Sequence, residues 1–310
     1  MAPADEAREA KPSEKRGRYR RSLVALATAV CLLIGGAMAV LAWTGTSFID
    51  QADRLVIAYE RYTRLAAARA GRTLRGTPDL NALDQRLRDR GLKRGDAVFL
   101  RIFKRNFELE LWMRKGPSFV RFATYPICGW SGRLGPKLKE GDRQAPEGFY
   151  TVSARQLNPN SRWHRSFNLG FPNLHDRRHG RTGSFLMVHG GCGSIGCYAM
   201  TDPVITEIWA LITAALKNGQ RRFHVHAYPF RMSARALRLR GGHRWSPFWR
   251  DLKRGSDLFE RTRRPPRVQV CRRRYQLSAD TGPRLTADHA IVARCSPTRR
   301  EALLTRTLVD

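Results

Sequence analysis

One stretch of the chain decides both its fold and its chemistry: Val188-His189-Gly190-Gly191-Cys192-Gly193-Ser194-Ile195-Gly196-Cys197-Tyr198-Ala199-Met200. The apolar run just before it, residues 185–188, predicts a short buried strand that ends at His189. A loop with four glycines then leads to Cys197, eight residues further on. Such a loop can fold back, so the imidazole and the sulfur can meet.

A cysteine is a nucleophile only as its thiolate, which requires a nearby base and hydrogen-bond donors. We predict Cys197 as the nucleophile and His189 as the base. The backbone amides around Gly196 and Cys197 are expected to bind a developing oxyanion. Taken singly, each residue has another explanation, because a lone cysteine is often a buried apolar group and a lone histidine a structural one.

The segments around this stretch predict a mainly β domain with one packed helix, over residues 97–232. Alternating or apolar runs predict strands at 98–103, 109–113, 119–122, 149–152 and 223–228. After Asp202 and Pro203, apolar residues at helical spacing predict a helix that packs on the sheet and ends before Gly219.

Several motifs in this region resemble those of one family. They are His189-Gly190, Ser194-x-Gly196-Cys197, Ser131-Gly132-x-Leu134-Gly135-Pro136-Lys137-Leu138, Pro146-Glu147-Gly148-Phe149-Tyr150, Ser166-Phe167-Asn168-Leu169-Gly170-Phe171-Pro172-Asn173 and Cys197-Tyr198-Ala199-Met200-Thr201-Asp202. The chain is therefore similar to the L,D-transpeptidase (YkuD) catalytic domain, and most similar to its YafK branch.

The resemblance implies a β-sandwich with a helix against it and a cysteine acyl-transferase that acts on peptidoglycan stem peptides. Cys197 would form the acyl-enzyme, His189 would exchange the proton, and the backbone carbonyl of Gly190 would orient the imidazole. Ile195 and Tyr198 depart from the commoner family pattern, so the acceptor stays open. An amine would give cross-linking, whereas water would release a cross-link or a protein attached to peptidoglycan. A non-catalytic peptidoglycan-binding module is a further alternative.

Arginines suit the carboxylates of stem peptides. Arg177, Arg178 and Arg181 are therefore candidate substrate-binding residues, together with Ser194 of the motif; a solvated loop with structural arginines is the alternative. Four histidines lie near or after this region, but their spacing does not predict a metal site, and no cofactor is expected.

The chain is strongly basic, with 57 Lys and Arg against 26 Asp and Glu among its 310 residues, a formal charge of +31. The excess is spread along the chain rather than gathered on one segment. Without a nucleic-acid motif, charge alone does not favour a nucleic-acid partner.

The N-terminus predicts export. Residues 1–22 form a basic arm, and residues 23–43 are twenty-one residues without a charge, long enough for an inner-membrane anchor. The remainder would then face the periplasm. Cleavage after Ala39, giving a secreted protein, is the alternative.

The flanking regions are a helical stalk or small cap at 50–95 and an Arg-rich extension at 233–310, which we expect to be an appended arm. Six cysteines in an exported chain suggest disulfides. Cys271 and Cys295 are the best pair, while Cys192 could either pair with Cys197 or stay inert.

Overall fold

The computed structural model describes residues 22–32, 35–36, 48–282 and 288–295. None of the helices in these ranges combines the length and the apolar character that crossing a bilayer requires. The predicted membrane segment at 23–43 lies partly outside the described residues, and the basic arm at 1–22 lies almost wholly outside them. The chain divides into two units, Met1–Ala52 and Asp53–Asp310. In the first, residues 22–32 are helical and exposed.

The second unit is built on two five-stranded sheets. The first sheet has the order β3-β2-β1-β10-β5 and consists of β1 (Val98–Phe103), β2 (Glu108–Lys115), β3 (Ser118–Pro126), β5 (Gly148–Ser153) and β10 (Arg222–Tyr228). The second has the order β4-β9-β8-β7-β6 and consists of β4 (Gly129–Trp130), β6 (Leu157–Ser161), β7 (His164–Asn168), β8 (Met187–His189) and β9 (Tyr198–Ala199). The pairs β1–β10 and β8–β9 are parallel. The prediction of a mainly β domain with helices is confirmed.

Six labelled helices accompany the sheets. They are α1 (Phe48–Arg69), α2 (Leu83–Asp89), α3 (Leu174–Arg178), α4 (Asp202–Lys217), α5 (Ala234–Leu239) and α6 (Ser246–Thr262). Helix α4 is the predicted packed helix and contacts β7 of one sheet as well as β1 and β10 of the other. Its apolar face, which includes Val204, Ile208 and Leu211, is fully buried, so it joins the two sheets into one core.

Helix α1 does not stand apart as a stalk. Its residues Asp53 and Ile57 are buried, and Arg61 donates to the carbonyl of Gly132 at 3.1 Å. Asp53 also accepts from Arg105 and Arg240, so two distant segments are tied to one carboxylate. The sequence pattern indicated the helix, but this packing depends on residues that are distant in sequence.

The C-terminal extension packs on the same core, although we expected an appended arm. Trp249 and Leu252 of α6 are fully buried, and Trp249 Nε1 donates to Glu147 Oε2 at 2.8 Å. A hairpin of β11 (Arg267–Cys271) and β12 (Arg274–Ser278) follows, joined by β13 (Val292–Ala293), and it buries Val268, Val270 and Tyr275. In the sequence, the arginines between the apolar positions of α6 hide the helical spacing of those positions. The predicted boundaries at 97 and 233 stay predictions. One buried cluster includes residues on both sides of each boundary.

Candidate active site

The register of two short strands sets the site. Strands β8 and β9 run parallel, with Val188 beside Tyr198 and His189 beside Ala199. Val188 and Tyr198 are fully buried on the core side. Because side chains alternate along a strand, His189 and Cys197, which neighbour these two residues, project to the other side.

That side is a cleft of about 750 Å³. Both His189 and Cys197 line it. The other lining residues are Lys137, Glu140, Gly141, Arg143, Arg162, Trp163, Gly183, Ser184, Phe185, Leu186, Met187, Gly193, Ser194, Ile195 and Gly196. The cleft therefore combines the two chemically active groups with cationic and apolar walls.

The Cys197 sulfur lies against the backbone of residues 185–187. Its Sγ accepts from the Met187 amide at 3.3 Å and approaches the Phe185 carbonyl oxygen at 3.6 Å. Burial raises the pKa of the thiol, opposed by the Met187 amide and by the charge of Lys137. The thiol therefore needs a base to become a nucleophile.

The loop holds His189 in one tautomer. Its Nδ1 lies 2.5 Å from the Gly190 carbonyl oxygen, and since a carbonyl only accepts, Nδ1 carries the proton. The unprotonated Nε2 is then the atom that can take a proton. Burial lowers the pKa of this histidine, with the Gly190 bond opposing the shift, which favours the neutral ring. Burial thus favours the neutral form of both the Cys197 thiol and the His189 imidazole.

Ser194 and Gly196 organise the loop before the cysteine. Ser194 Oγ donates to the Cys197 carbonyl at 2.7 Å and accepts from the Gly196 amide at 3.2 Å. Gly196 has φ of +143°, and a Cβ there would lie 3.1 Å from Leu186 Cδ1. The Gly196 amide would have to release Ser194 before it could bind an oxyanion. Ser194, predicted to bind substrate, lines the cleft, but its hydroxyl is hydrogen-bonded within the loop.

Two further links hold the other end of this loop. Cys192 forms a disulfide with Cys128, with Cα atoms 5.2 Å apart, so the alternative pairing with Cys197 is not found. The Gly191 amide donates to Asp202 Oδ1 at 2.7 Å. The second disulfide joins Cys271 and Cys295, as predicted. Cys197 is thus free to react.

Sequence reasoning missed Trp163. It lies at the turn between β6 and β7, and its ring centroid is 5.8 Å from that of His189, with the planes inclined by 30°. The guanidinium of Arg162 lies 5.4 Å from the same indole. A single aromatic residue outside every predicted strand gave no sign of this contact, which depends on the β7–β8 pairing. Trp163 shields the base from solvent.

The predicted substrate arginines do not line the cleft. Arg181 is buried, bonds Asp176 at 2.6 Å and stacks on Phe248, so it is structural. Arg177 is exposed and donates to the Pro172 carbonyl, and Arg178 is exposed. The interpretation of these three as substrate ligands therefore has no geometric support. The cationic residues of the cleft are instead Lys137, Arg143 and Arg162.

The Lys137 ammonium is held by two hydrogen bonds to the segment that follows it. Its Nζ donates to Asp142 Oδ1 at 2.5 Å and to the Lys139 carbonyl at 3.0 Å. Asp142 also accepts from the amides of Leu138, Lys139 and Gln144. Burial alone would raise the pKa of the Asp142 carboxyl, but the Lys137 bond and these amides outweigh it and lower the pKa. Across the described part of the chain, no group of three or more His, Cys, Asp or Glu is arranged to hold a metal ion.

Comparisons with known proteins identify the domain that contains His189 and Cys197. The family model for the L,D-transpeptidase catalytic domain (YkuD) matches residues 109–230. The chain is 46% identical over 184 residues to "Putative L,D-transpeptidase YafK" of Escherichia coli (strain K12), which covers 59% of this chain and 75% of that protein.

Two solved structures share weaker similarity. The helical cell shape determining protein Pgp2 from Campylobacter jejuni is 21% identical, with a TM-score of 0.35, over 48% of this chain and 56% of that one. Bd1075 of Bdellovibrio bacteriovorus is 18% identical, with a TM-score of 0.32, over 54% of this chain and 57% of that one. The chain thus spans little more than half of each structure. By its sequence identity to YafK and the matched domain, the chain belongs to the L,D-transpeptidase (YkuD) family.

Proposed function

We propose that this chain is a cysteine-dependent L,D-transpeptidase-type enzyme that acts on peptidoglycan stem peptides through an acyl-enzyme on Cys197. One observation carries the proposal: His189, with its proton fixed on Nδ1 by Gly190, lines the same cleft as the free thiol of Cys197. Family membership supports the same reaction class.

The reaction needs only groups of this chain. His189 Nε2 takes the thiol proton as the sulfur attacks the carbonyl carbon of the donor stem, and the carbonyl oxygen becomes an oxyanion. Backbone amides of residues 196 and 197 then bind that oxygen, the Gly196 amide after it releases Ser194. The imidazolium returns its proton to the leaving amine, so the C–N bond breaks and a thioester remains.

The thioester then reacts with an acceptor. An amine of a second stem peptide gives a cross-link, whereas water cleaves the link or releases a protein attached to peptidoglycan. In either case His189 takes the acceptor's proton and the thiolate leaves. Both outcomes use the same cleft, so the acceptor is decided by what reaches the thioester.

The walls of the cleft suit a stem peptide, which carries free carboxylates. Lys137, Arg143 and Arg162 supply cationic groups, and the exposed side chains of Phe185 and Ile195 supply apolar contact at its edge. Arginine and lysine bind carboxylates through charge-assisted hydrogen bonds. We infer that the exposed Arg143 and Arg162 replace the arginines of the 177–181 loop as substrate ligands, while Lys137, buried and paired with Asp142, adds its charge to the wall.

We also propose that the domain faces the periplasm, held by residues 23–43 in the inner membrane; secretion after cleavage is the alternative. Two disulfides in the described residues support an oxidising compartment.

The test is turnover of a purified tetrapeptide muropeptide, followed by mass spectrometry of the products. We expect the wild-type chain to release or exchange the terminal residue and Cys197→Ala to do neither while unfolding at the wild-type temperature. Undiminished turnover by the variant would remove the cysteine mechanism. A folded wild type that binds the muropeptide without converting it would indicate a binding module.

A further inference from the structure

Lys137 is a buried cation in the wall of the catalytic cleft. Its side chain is only 5% exposed, yet the residue lines the same cleft as Cys197 and His189. Moving an ammonium group out of water is costly unless its charge is compensated. Its charge is therefore either balanced by a structural partner or used by the site.

Three backbone amides hold the turn around Asp142 without help from Lys137. The carboxylate accepts from the amides of Leu138, Lys139 and Gln144 at 2.8, 3.1 and 3.0 Å, so both of its oxygens have donors besides the ammonium. Because the carboxylate divides its charge among four donors, it offsets only part of the charge of Lys137. Satisfying Asp142 therefore does not account for the buried lysine.

The turn that carries Lys137 is hydrogen-bonded to the segment that precedes β8. The Thr182 amide donates to the Leu138 carbonyl at 3.1 Å, and the Glu140 amide donates to Thr182 Oγ1 at 3.2 Å. The lysine side chain also lies against Gly183, where an added Cβ would come within 2.7 Å of Lys137 Cε. Backbone and side-chain contacts thus fix the lysine relative to this segment.

The same segment holds the sulfur of the nucleophile. The Phe185 carbonyl oxygen lies 3.6 Å from Cys197 Sγ, and the Met187 amide donates to Sγ at 3.3 Å. Lys137 and the sulfur are therefore fixed on one piece of structure. The charge of Lys137 favours ionisation of the thiol, against the burial that raises the pKa of Cys197.

The other charged groups of the cleft differ from Lys137 in their exposure. Glu140, Arg143 and Arg162 also line it, but all three are exposed, so water and salt screen their charges. His189 is buried, and burial lowers its pKa, which favours the neutral ring. Among the described residues that line the cleft, Lys137 is therefore the buried cation.

We propose that Lys137 supplies the positive charge that stabilises the Cys197 thiolate when its proton passes to His189. In this step the S–H bond breaks and an N–H bond forms on His189 Nε2, while Lys137 exchanges no proton. Lys137 then acts through the thiol and needs no contact with substrate, so it is a positioning residue. This role rests on the proposed function in taking Cys197 as the nucleophile.

The test is the pH dependence of Cys197 alkylation by iodoacetamide in the full chain. A Cys31→Ser background removes the other free thiol. Because iodoacetamide is neutral, Lys137 can change the rate through the sulfur but not by attracting the reagent. Lys137→Met keeps a long side chain without the charge. We expect it to move the profile to higher pH and, below the midpoint, to slow alkylation by about tenfold.

Two matched variants separate charge from structure. Asp142→Asn removes the charge that partly offsets Lys137, so its profile should move to lower pH, opposite to that of Lys137→Met. A purely structural tie between the two residues would make both variants change alkylation in the same direction. Lys139→Met removes an exposed charge from the same turn and should leave the profile unchanged.

Either of two results would overturn the proposal. One is a profile of Lys137→Met that coincides with that of the unchanged background; a raised KM for a muropeptide in this variant would then make the ammonium a substrate ligand. The other is a profile of Asp142→Asn that stays in place or moves to higher pH, which decides the matter even if Lys137→Met does not fold.

These readouts need no substrate, so they are independent of turnover. A chain that converts no muropeptide, but whose alkylation profile responds to Lys137 and Asp142 in opposite directions, would support the role of Lys137 and refute the proposed function.

Discussion

The Gly191 amide donates a hydrogen bond to Asp202 Oδ1 at 2.7 Å, so the loop after the base is tied to the first residue of helix α4. A Cβ on the neighbouring Gly190 would lie only 2.5 Å from the same carboxylate oxygen. This close approach fixes the peptide whose carbonyl orients His189. The position of the base thus depends on a helix that also joins the two sheets.

Removing this tie should slow the reaction. We expect Asp202→Ala to lower kcat by tenfold or more at nearly unchanged KM, since a lost hydrogen bond to a charged group is worth about 1.5–3 kcal/mol. Asp202→Asn keeps an oxygen acceptor and should retain most of the activity. Steady-state kinetics on a muropeptide measure both. Equal activity in the alanine variant would mean that the loop is held without Asp202.

Shielding by Trp163 should set the acid limb of the pH–rate profile. Burial lowers the pKa of His189. The base therefore stays unprotonated to a pH below the usual histidine value of about 6.5, and kcat/KM should stay constant down to that lower pH. Trp163→Ala exposes the ring and should move the limb upward, towards that value. Trp163→Phe keeps an aromatic cover and should shift it less. An acid limb that is the same in all three proteins would show that Trp163 does not shield the base.

The disulfide between Cys128 and Cys192 should matter more for activity than the one at the C-terminus. It closes a segment of 64 residues, and its loss should cost about 4 kcal/mol of unfolding free energy on the chain-entropy estimate. The Cys271–Cys295 pair closes 24 residues and should cost about 3 kcal/mol. Only the Cys128→Ser, Cys192→Ser double variant loosens the catalytic loop, so only it should lose kcat beyond its loss of stability.

Kinetics at a temperature where both double variants stay folded separate these effects. An equal loss of kcat in the two would refute a positioning role for Cys192.

The burial of His175 predicts that the folded protein loses stability in acid. It is buried, stacked on Tyr275 at 4.1 Å, and burial, followed by the charge of Arg181, lowers its pKa from 6.5 to about 2. The unfolded chain therefore binds a proton that the folded chain rejects. This contribution to stability is complete above pH 6.5 and is lost as the pH falls from there, by at most about 1.4 kcal/mol per unit.

Replacing the ring checks this dependence. Denaturant unfolding of His175→Phe should show a smaller loss of stability between pH 6 and pH 4 than the wild type. The same slope in both proteins would contradict the assignment.

The sequence was informative where the chemistry is local. His189, Gly190 and Cys197 lie within nine residues, and the strand before them and the helix that begins at Asp202 are both close in sequence. Trp163 was missed because it approaches His189 only through the β7–β8 pairing, and Lys137 because the loop that carries it meets the cleft only in the folded chain. Arg181 was misinterpreted because its partner Asp176 gave no sequence signal of burial.

The C-terminal extension illustrates the same limit. Its apolar residues Trp249, Leu252 and Phe259 are spaced for one helix face, but the surrounding arginines suggested an appended arm. Only the core they enter, around Glu147 and Phe99, shows why they are apolar.

The most direct test of the central claim is the intact mass of the full chain mixed with a tetrapeptide muropeptide and quenched in acid. We predict an adduct equal to the donor without its terminal residue, and peptide mapping should find it on Cys197. Cys197→Ala should show no adduct and no turnover. An active enzyme whose adduct maps to another residue, or whose activity survives the loss of Cys197, would contradict the account.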